Sequence, residues 1–278
     1  IVKGILLALL VIWVGITVYF YSRHVVTVWY YGVGEQVEAG DVKANAAPKD
    51  PILEQLNSMT LDEKIGQMVI AGLEGYSVND DTLKMIKNHK AGGFILYGSN
   101  IETPEQLLGL VNSLKTENSA NPVPLFIAVD EEGGRVSRMP QELKKLPASR
   151  TIGNTGNETL SYKIGSLIAM KLKAFGFNMD FAPVLDINSN PENPVIGDRS
   201  FGAEENIVSR MGAEAMKGIQ DGGIIPVVKH FPGHGDTSVD SHKSLPRVES
   251  DLRRLRSFEL LPFIKAVNEG ADAVMTAH

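Results

Sequence analysis

Continuous apolar runs that alternate with amphipathic runs constrain the fold of this chain more than any other feature. Residues 92–98 (GGFILYG) and 124–130 (PLFIAVD) have the length and the β-branched or aromatic content of buried strands. Further strands are predicted over residues 66–72, 178–186, 224–230 and 271–278, and helices over residues 52–59, 103–116, 158–175, 204–221 and 251–268. Strands that are apolar along their whole length and are each followed by a helix indicate a parallel sheet covered on its faces.

The ends of the predicted strands decide between two parallel architectures. A doubly wound sheet and a barrel both fit the alternation, but polar residues close several strands, as active-site groups do at the carboxyl-terminal mouth of a barrel. These residues are Asp130, Asp186, Lys229 with His230, and His278. The predicted fold class is therefore α/β, of the (β/α)8 TIM-barrel type. Six strands leave two βα units unaccounted for, so we expect a barrel that is truncated after about six strands.

The amino-terminal stretch differs from the rest of the chain. Residues 5–21 carry no charge, and Lys3 and Arg23 flank them, which meets the lower limit for one transmembrane helix. A cleavable signal peptide is the alternative, but the A-x-A sequence at residues 44–46 lies far beyond the apolar run. We therefore expect three regions: an anchor or signal segment at residues 1–24, a tether at residues 25–47, and a barrel domain at residues 48–278. The expected location is membrane-anchored and extracytoplasmic, with secretion after cleavage as the alternative.

Charge and composition limit the partners. The net charge is -6 without a basic run, which argues against nucleic acid. The chain contains no cysteine, so it has no thiolate nucleophile and no thiolate zinc site. These properties favour a small or polymeric ligand, and no cofactor is expected.

The segment after the fifth predicted strand concentrates titratable groups. Residues 229–246 (KHFPGHGDTSVDSHKSLP) contain three of the six histidines. Within this segment Asp240 and His242 flank Ser241, so a loop can aim both side chains at one point. A carboxylate bonded to one imidazole nitrogen makes the other nitrogen a proton donor and acceptor suited to near-neutral pH. A solvated polar loop is the alternative interpretation.

Lys229 and His230 end the fifth predicted strand and offer donors for the hydroxyls of a polar ligand. Pairing with backbone carbonyls is the alternative role for both side chains. Arg199 lies in another glycine-flanked loop, IGDRSFG, where a salt bridge to Asp198 or a nearby acid is the alternative to ligand binding.

Asp130 opens the segment DEEGGRVSR, in which two glycines allow the backbone to turn sharply and to approach a ligand closely. Arg135 and Arg138 follow the turn and offer planar donors. The segment has neither glycine pattern of a phosphate-binding loop.

A metal site is the remaining chemical alternative. Its donors would be His230, His234, Asp236, Asp240 and His242. Their spacing resembles no compact metal-binding helix motif, and we predict no bound metal.

Three motifs together, KHFPGHGDTxxDSHxxLP, DEEGGRVxR and IGDRSFG, resemble the family 3 glycoside hydrolases, specifically their β-N-acetylglucosaminidase (β-N-acetylhexosaminidase) branch of bacterial cell-wall turnover. The resemblance covers about residues 48–278. It implies a (β/α)8 barrel and retaining hydrolysis of terminal β-linked N-acetylglucosamine from peptidoglycan-derived sugars.

The resemblance also implies roles for individual residues. His242 matches the general acid/base, and Asp240 matches its dyad partner. The sugar-binding positions are matched by Asp130, Arg138, Arg199, Lys229 and His230, whereas Asp186, His234 and Asp236 are expected to shape the site. The aspartate nucleophile of the family lies in a segment that follows the sixth strand and is absent here, so the isolated fragment is expected to be nearly inactive. A membrane-tethered glycan-binding barrel without turnover remains a second hypothesis, and a metal-dependent hydrolase a third.

Overall fold

The computed structural model describes residues 50–236 and 251–276, which contain six strands and nine α-helices. The strands are β1 Ile70–Gly72, β2 Gly93–Leu96, β3 Phe126–Val129, β4 Met179–Asp180, β5 Ile225–Phe231 and β6 Ala273–Thr276. The helices are α1 Pro51–Ser58, α2 Leu61–Gln67, α3 Asp80–Lys87, α4 Pro104–Glu117, α5 Ser149–Gly153, α6 Glu158–Phe175, α7 Glu205–Asp221, α8 Leu252–Ser257 and α9 Leu261–Asn268. Short 3-10 turns occupy Gly98–Asn100 and Gly197–Arg199.

The sheet confirms the predicted parallel α/β architecture. Its strands follow the chain order from β1 to β6, and every neighbouring pair is parallel. At least one helix lies between each pair of consecutive strands. The sheet curls into a six-stranded half-barrel. All strands therefore present their carboxyl ends at the same rim.

Alternate residues of the strands supply two apolar layers. Phe94 and Leu96 of β2 belong to a fully buried cluster with helix residues such as Leu107 and Leu172. Ile95, between them in sequence, packs instead with Val227 and other strand residues. This alternation is expected because successive strand side chains point to opposite faces. One layer fixes the helices on the sheet, and the other fills the inner face of the half-barrel.

Local sequence signals fix the helix ends. Thr60 and Glu63 form a reciprocal capping box at the start of α2. The side chains of Asn79, Thr103, Asn157 and Asp251 each accept a hydrogen bond from a backbone N–H in the first turn of the helix that follows. Three of these caps, Thr103, Asn157 and Asp251, mark helices whose predicted starts lie within about one residue of the observed ones.

Three predicted elements need correction. The strand predicted at residues 66–72 begins only at Ile70, because α2 extends to Gln67. The strand predicted at residues 178–186 is regular only over Met179–Asp180, and Pro183, which lacks an N–H group, interrupts its ladder before a single bridge joins Val184 to Lys229. The helix predicted at residues 251–268 is divided into α8 and α9, since Pro262 cannot occupy the interior of a continuous helix.

Several predictions lie outside the described residues. They concern the apolar stretch at residues 5–21, the tether at residues 25–47, the dyad of Asp240 and His242, and His278. Among the helices that the structure describes, none has the length and apolarity to cross a membrane.

Candidate active site

A cavity of about 530 Å³ opens at the carboxyl ends of the strands. Its floor is apolar, and Ile95, Phe181 and Met275 come from the inner layer of the half-barrel. The cavity wall carries a cluster of charged and polar side chains: Asp130, Glu132, Arg135, Arg138, Arg199, Lys229, His230 and His234. All five residues predicted to bind a sugar therefore line one cavity.

Lys229 is the most deeply placed cation of this cluster. Its Nζ lies 2.6 Å from Asp130 Oδ1 and 2.6 Å from Glu132 Oε1, and its side chain is only 2% exposed. Consecutive strand residues normally face opposite sides, yet Lys229 and His230 both line the cavity, and the peptide bond that joins them is cis. The alternative in which backbone carbonyls satisfy Lys229 is wrong, since two carboxylates hold it.

Glu132 joins Lys229 and Arg199, a role that no local sequence pattern predicted. Arg199 donates Nε to Glu132 Oε2 and Nη2 to Glu132 Oε1, each at 2.8 Å, in a bidentate pair. Burial raises the pKa of Glu132, but Lys229 and Arg199 outweigh it and lower the pKa from 4.5 to about 2. Glu132 is thus an anion that fixes both cations in one place.

The salt bridge considered as the alternative role of Arg199 is present, but its partner is the acid Glu132 and not Asp198. Asp198 does not pair with Arg199 but with Arg135, whose Nε lies 2.8 Å from Asp198 Oδ1. Arg135 also donates to the carbonyls of Val195 and Ile196. Arg135 therefore ties the segment that carries Arg199 to the loop after β3.

His230 is oriented by a buried carboxylate. Its Nδ1 lies 2.6 Å from Oδ2 of Asp186, whose side chain is fully buried. The other oxygen, Oδ1, accepts the backbone N–H of His234 at 2.6 Å. We assign the proton to Nδ1 because that nitrogen faces a carboxylate, and Nε2 then faces Arg199 Nη2 at 3.5 Å as an acceptor. Asp186 thus holds the His230 ring and the backbone at His234 in fixed positions.

The loop after β3 turns within a few residues and returns Arg138 to the cavity. Gly133 and Gly134 have φ values of 82° and 57°, in the left-handed region that favours glycine. A Cβ atom at Gly133 would lie 2.6 Å from the carbonyl oxygen of Pro147, and one at Gly134 would lie 2.7 Å from the Cβ of Ala148. Only glycines fit this path.

Two buried acids, Glu131 and Asp180, hold the same loop in place through hydrogen bonds. Glu131 accepts hydrogen bonds from Ser137 Oγ and from the backbone N–H of Arg138, both at 2.9 Å. The backbone N–H of Glu131 in turn donates to Asp180 Oδ1 at 3.0 Å. Burial raises the pKa of Glu131 and raises that of Asp180 well above its usual range. Within the described residues, Asp180 Oδ2 has no hydrogen-bond partner.

The described part of the chain holds no group of three or more potential metal-ligating side chains. Of the five donors considered for a metal, Asp240 and His242 lie outside this part. The rings of His230 and His234 are 6.3 Å apart between centroids.

A curled parallel sheet with a charged cavity at its carboxyl rim defines a domain of the (β/α)-barrel class. The comparison with protein families identifies the member: residues 60–278 match the model described as "Glycosyl hydrolase family 3 N terminal domain". The chain belongs to glycosyl hydrolase family 3, as its motifs predicted.

Similar proteins carry related names. The chain is 39% identical to a β-hexosaminidase A of Pseudoalteromonas piscicida, in an alignment that covers 70% of this chain. It is 34% identical to a β-hexosaminidase of Methylobacillus flagellatus, in an alignment that covers 76% of this chain. It spans only 34% and 61% of those two relatives.

Among solved structures, a glycoside hydrolase family 3 β-N-acetylglucosaminidase from Paenibacillus sp. is 45% identical with a TM-score of 0.77, covering 80% of this chain and 42% of that one. NagZ from Neisseria gonorrhoeae, solved in complex with N-trifluoroacetyl-D-glucosamine, is 35% identical with a TM-score of 0.70, covering 76% of this chain and 63% of that one.

Proposed function

We propose that the protein is a retaining glycoside hydrolase that removes terminal β-linked N-acetylglucosamine from peptidoglycan-derived sugars. The observation that carries the proposal is the convergence of Asp130, Arg138, Arg199, Lys229 and His230, from three separate motifs, on one cavity. The family membership supports hydrolysis of a glycosidic bond, and the names of the relatives support an N-acetylhexosamine as the sugar.

The cavity suits the hydroxyl groups of a neutral sugar. Asp130 accepts a hydrogen bond from Lys229 through Oδ1, and its side chain is 21% exposed. Its carboxylate can therefore also accept a hydrogen bond from a sugar hydroxyl. His230 presents Nε2 as an acceptor. Arg138 lines the cavity without an ion pair to any described residue, and its guanidinium can donate to the acyl carbonyl or a hydroxyl of the sugar. Hydroxyl groups both donate and accept hydrogen bonds, so they match a wall with both kinds of group.

The chemical step requires residues outside the described part. In our proposal an aspartate, supplied by the segment that follows the sixth strand in the family, attacks the anomeric carbon, and His242 donates a proton to the departing oxygen. A water molecule then gives its proton to His242 and hydrolyses the glycosyl–enzyme bond, which restores both residues and retains the configuration. Asp240 holds the imidazole in the required orientation.

We also propose that the enzyme works outside the cytoplasm, anchored by residues 5–21. The support is the uncharged stretch and its two flanking cations. A family that acts on cell-wall fragments can work on either side of the membrane, but a barrel that follows an N-terminal apolar segment favours the outer side.

The test is to incubate the full-length natural protein with 4-nitrophenyl N-acetyl-β-D-glucosaminide and to follow the anomer by NMR. We expect first-formed β-N-acetylglucosamine, little hydrolysis of the β-glucoside, and no effect of a chelator. Lys229→Ala should lower kcat/KM by about tenfold or more, because a sugar hydroxyl loses a charged partner. Binding of N,N′-diacetylchitobiose without any hydrolysis would replace this proposal by the glycan-binding hypothesis. Loss of activity on chelation that zinc restores would favour the metal-dependent hydrolase.

A further inference from the structure

Tyr97 is an aromatic residue of the cavity to which the motifs assign no role. It is the first residue after β2 and lines the same cavity as Asp130, Lys229 and His230. Tyr97 is 46% exposed. An exposed aromatic ring in a polar binding cavity offers an apolar contact surface to a ligand.

The backbone at Tyr97 is fixed by a buried asparagine. The N–H of Tyr97 donates to Asn100 Oδ1 at 2.9 Å. The Asn100 amide donates to the carbonyls of Leu73 at 3.0 Å and Gly75 at 2.9 Å, and Asn100 is 1% exposed. These bonds tie the turn after β2 to the loop after β1. The ring is therefore presented from a fixed turn.

Small residues leave room for the ring beside the predicted sugar-binding groups. A Cβ atom at Gly72, the last residue of β1, would lie 3.3 Å from Tyr97 Cε2. A Cβ atom at Gly98 would lie 3.8 Å from Cδ of Arg138, so the turn that carries Tyr97 lies against Arg138. The ring thus occupies the side of the cavity formed by β1, β2 and the loop after β3.

The exposure of the side chains shows which end of the cavity is deep. Lys229 and Glu132 are each 2% exposed and Asp130 is 21% exposed, whereas Tyr97 lies at the mouth. In an enzyme that removes a terminal sugar, that sugar occupies the deep, charged end, and the leaving group extends towards the mouth. Sugar rings carry an apolar C–H face, and Tyr97 offers a matching ring there.

We propose that Tyr97 forms the subsite for the sugar ring on the leaving-group side of the scissile bond, so that it favours substrates with a second sugar over substrates with a small leaving group. The inference rests on the proposed function, since it needs a terminal sugar at the deep end of the cavity.

The test compares two substrates of the full-length enzyme. N,N′-diacetylchitobiose has a sugar as its leaving group, whereas N-acetyl-β-D-glucosaminyl azide has a leaving group without a ring. Tyr97→Ala should lower kcat/KM for the disaccharide by about tenfold and that for the azide by less than about twofold. Tyr97→Phe keeps the ring and should preserve the preference. Tyr76→Ala is the matched control, because Tyr76 is 49% exposed but does not line the cavity.

Equal losses on both substrates, no loss on either, or the same loss in Tyr76→Ala would overturn the proposal. If the wild-type enzyme hydrolysed neither substrate, the proposed function would fail, and calorimetry would decide the role of Tyr97. A Tyr97→Ala variant that binds the disaccharide more weakly but N-acetylglucosamine unchanged would support the subsite, whereas unchanged binding of both would refute it.

Discussion

Replacing Glu132 by Gln tests whether one buried anion organises the candidate site. Glu132 accepts a hydrogen bond from Lys229 and two from Arg199, and it is almost fully buried. Glutamine has nearly the same shape, but its amide nitrogen must face one of the two cations. We therefore expect the variant to lose stability and catalytic efficiency together.

The size of the stability loss follows from the pKa of Glu132. The fall from 4.5 to about 2 corresponds to about 3 kcal/mol, because one pKa unit equals about 1.4 kcal/mol. Removing one partner of a buried ion pair typically costs about 3–5 kcal/mol, which agrees with this value. The predicted loss in the free energy of unfolding for Glu132→Gln is about 3 kcal/mol at pH 7.

The loss should depend on pH in a defined direction. The pKa of Glu132 is lower in the folded state than in the unfolded state, so the carboxylate stabilises the fold above pH 4.5. This stabilisation decreases as the pH falls from 4.5 towards about 2. The difference in the free energy of unfolding between wild type and Glu132→Gln should therefore be smaller at pH 3.5 than at pH 7, by about 1 kcal/mol.

Urea unfolding followed by circular dichroism measures both quantities. The matched control is Glu158→Gln, which removes an exposed carboxylate paired with Arg210 and should cost less than about 1 kcal/mol at any of these pH values. A loss below about 1 kcal/mol for Glu132→Gln at pH 7, or one that does not change with pH, would refute the assignment of Glu132 as the organising anion.

Three further predictions concern catalysis and location. His242→Ala should slow the hydrolysis of N,N′-diacetylchitobiose far more than that of a 2,4-dinitrophenyl glycoside, because the latter needs little protonation of its leaving group. Equal losses of rate on both substrates would count against the acid/base role. Asp186→Asn should lower kcat/KM about tenfold because His230 loses the carboxylate that orients it, whereas Asp81→Asn on the surface should have no effect. The full-length protein should fractionate with membranes and be cleaved by protease added to intact spheroplasts; a soluble form with its N-terminus near Ala47 would instead show signal cleavage.

The sequence predicted the six strands, five helical stretches and the rim of the half-barrel, because all of these depend on local patterns. Apolar runs located the strands, amphipathic runs located five helical stretches but not α2, α3 or α5, and polar residues at strand ends marked the rim. The irregular end of β4 escaped prediction, since an apolar run alone does not show where Pro183 interrupts the ladder. Element boundaries therefore needed the structure even where the element type was correct.

The partners within the site could not be predicted, because they are far apart in the chain. Lys229 and Asp130 are 99 positions apart, and Arg199 and Glu132 are 67 apart. Three acidic residues stand together at positions 130–132, and nothing local shows that Glu131 supports the loop while Glu132 binds both cations. The absence of cysteine and the presence of the glycine pair could be read from the sequence. The bidentate contact between Arg199 and Glu132 could not, because it forms only when the strands are assembled.

The pairing of the cations also bears on the charge of the ligand. Lys229 and Arg199 are already neutralised by Asp130 and Glu132, so an anion such as a phosphate would have to compete with buried carboxylates for them. A neutral sugar does not compete in this way, since its hydroxyls can donate to the carboxylates while they accept from the cations. Because carboxylates already hold Lys229 and Arg199 in place, a ligand can bind without rearranging these two side chains. Around Lys229 and Arg199, the geometry of the ion pairs thus favours a neutral polyhydroxylated ligand.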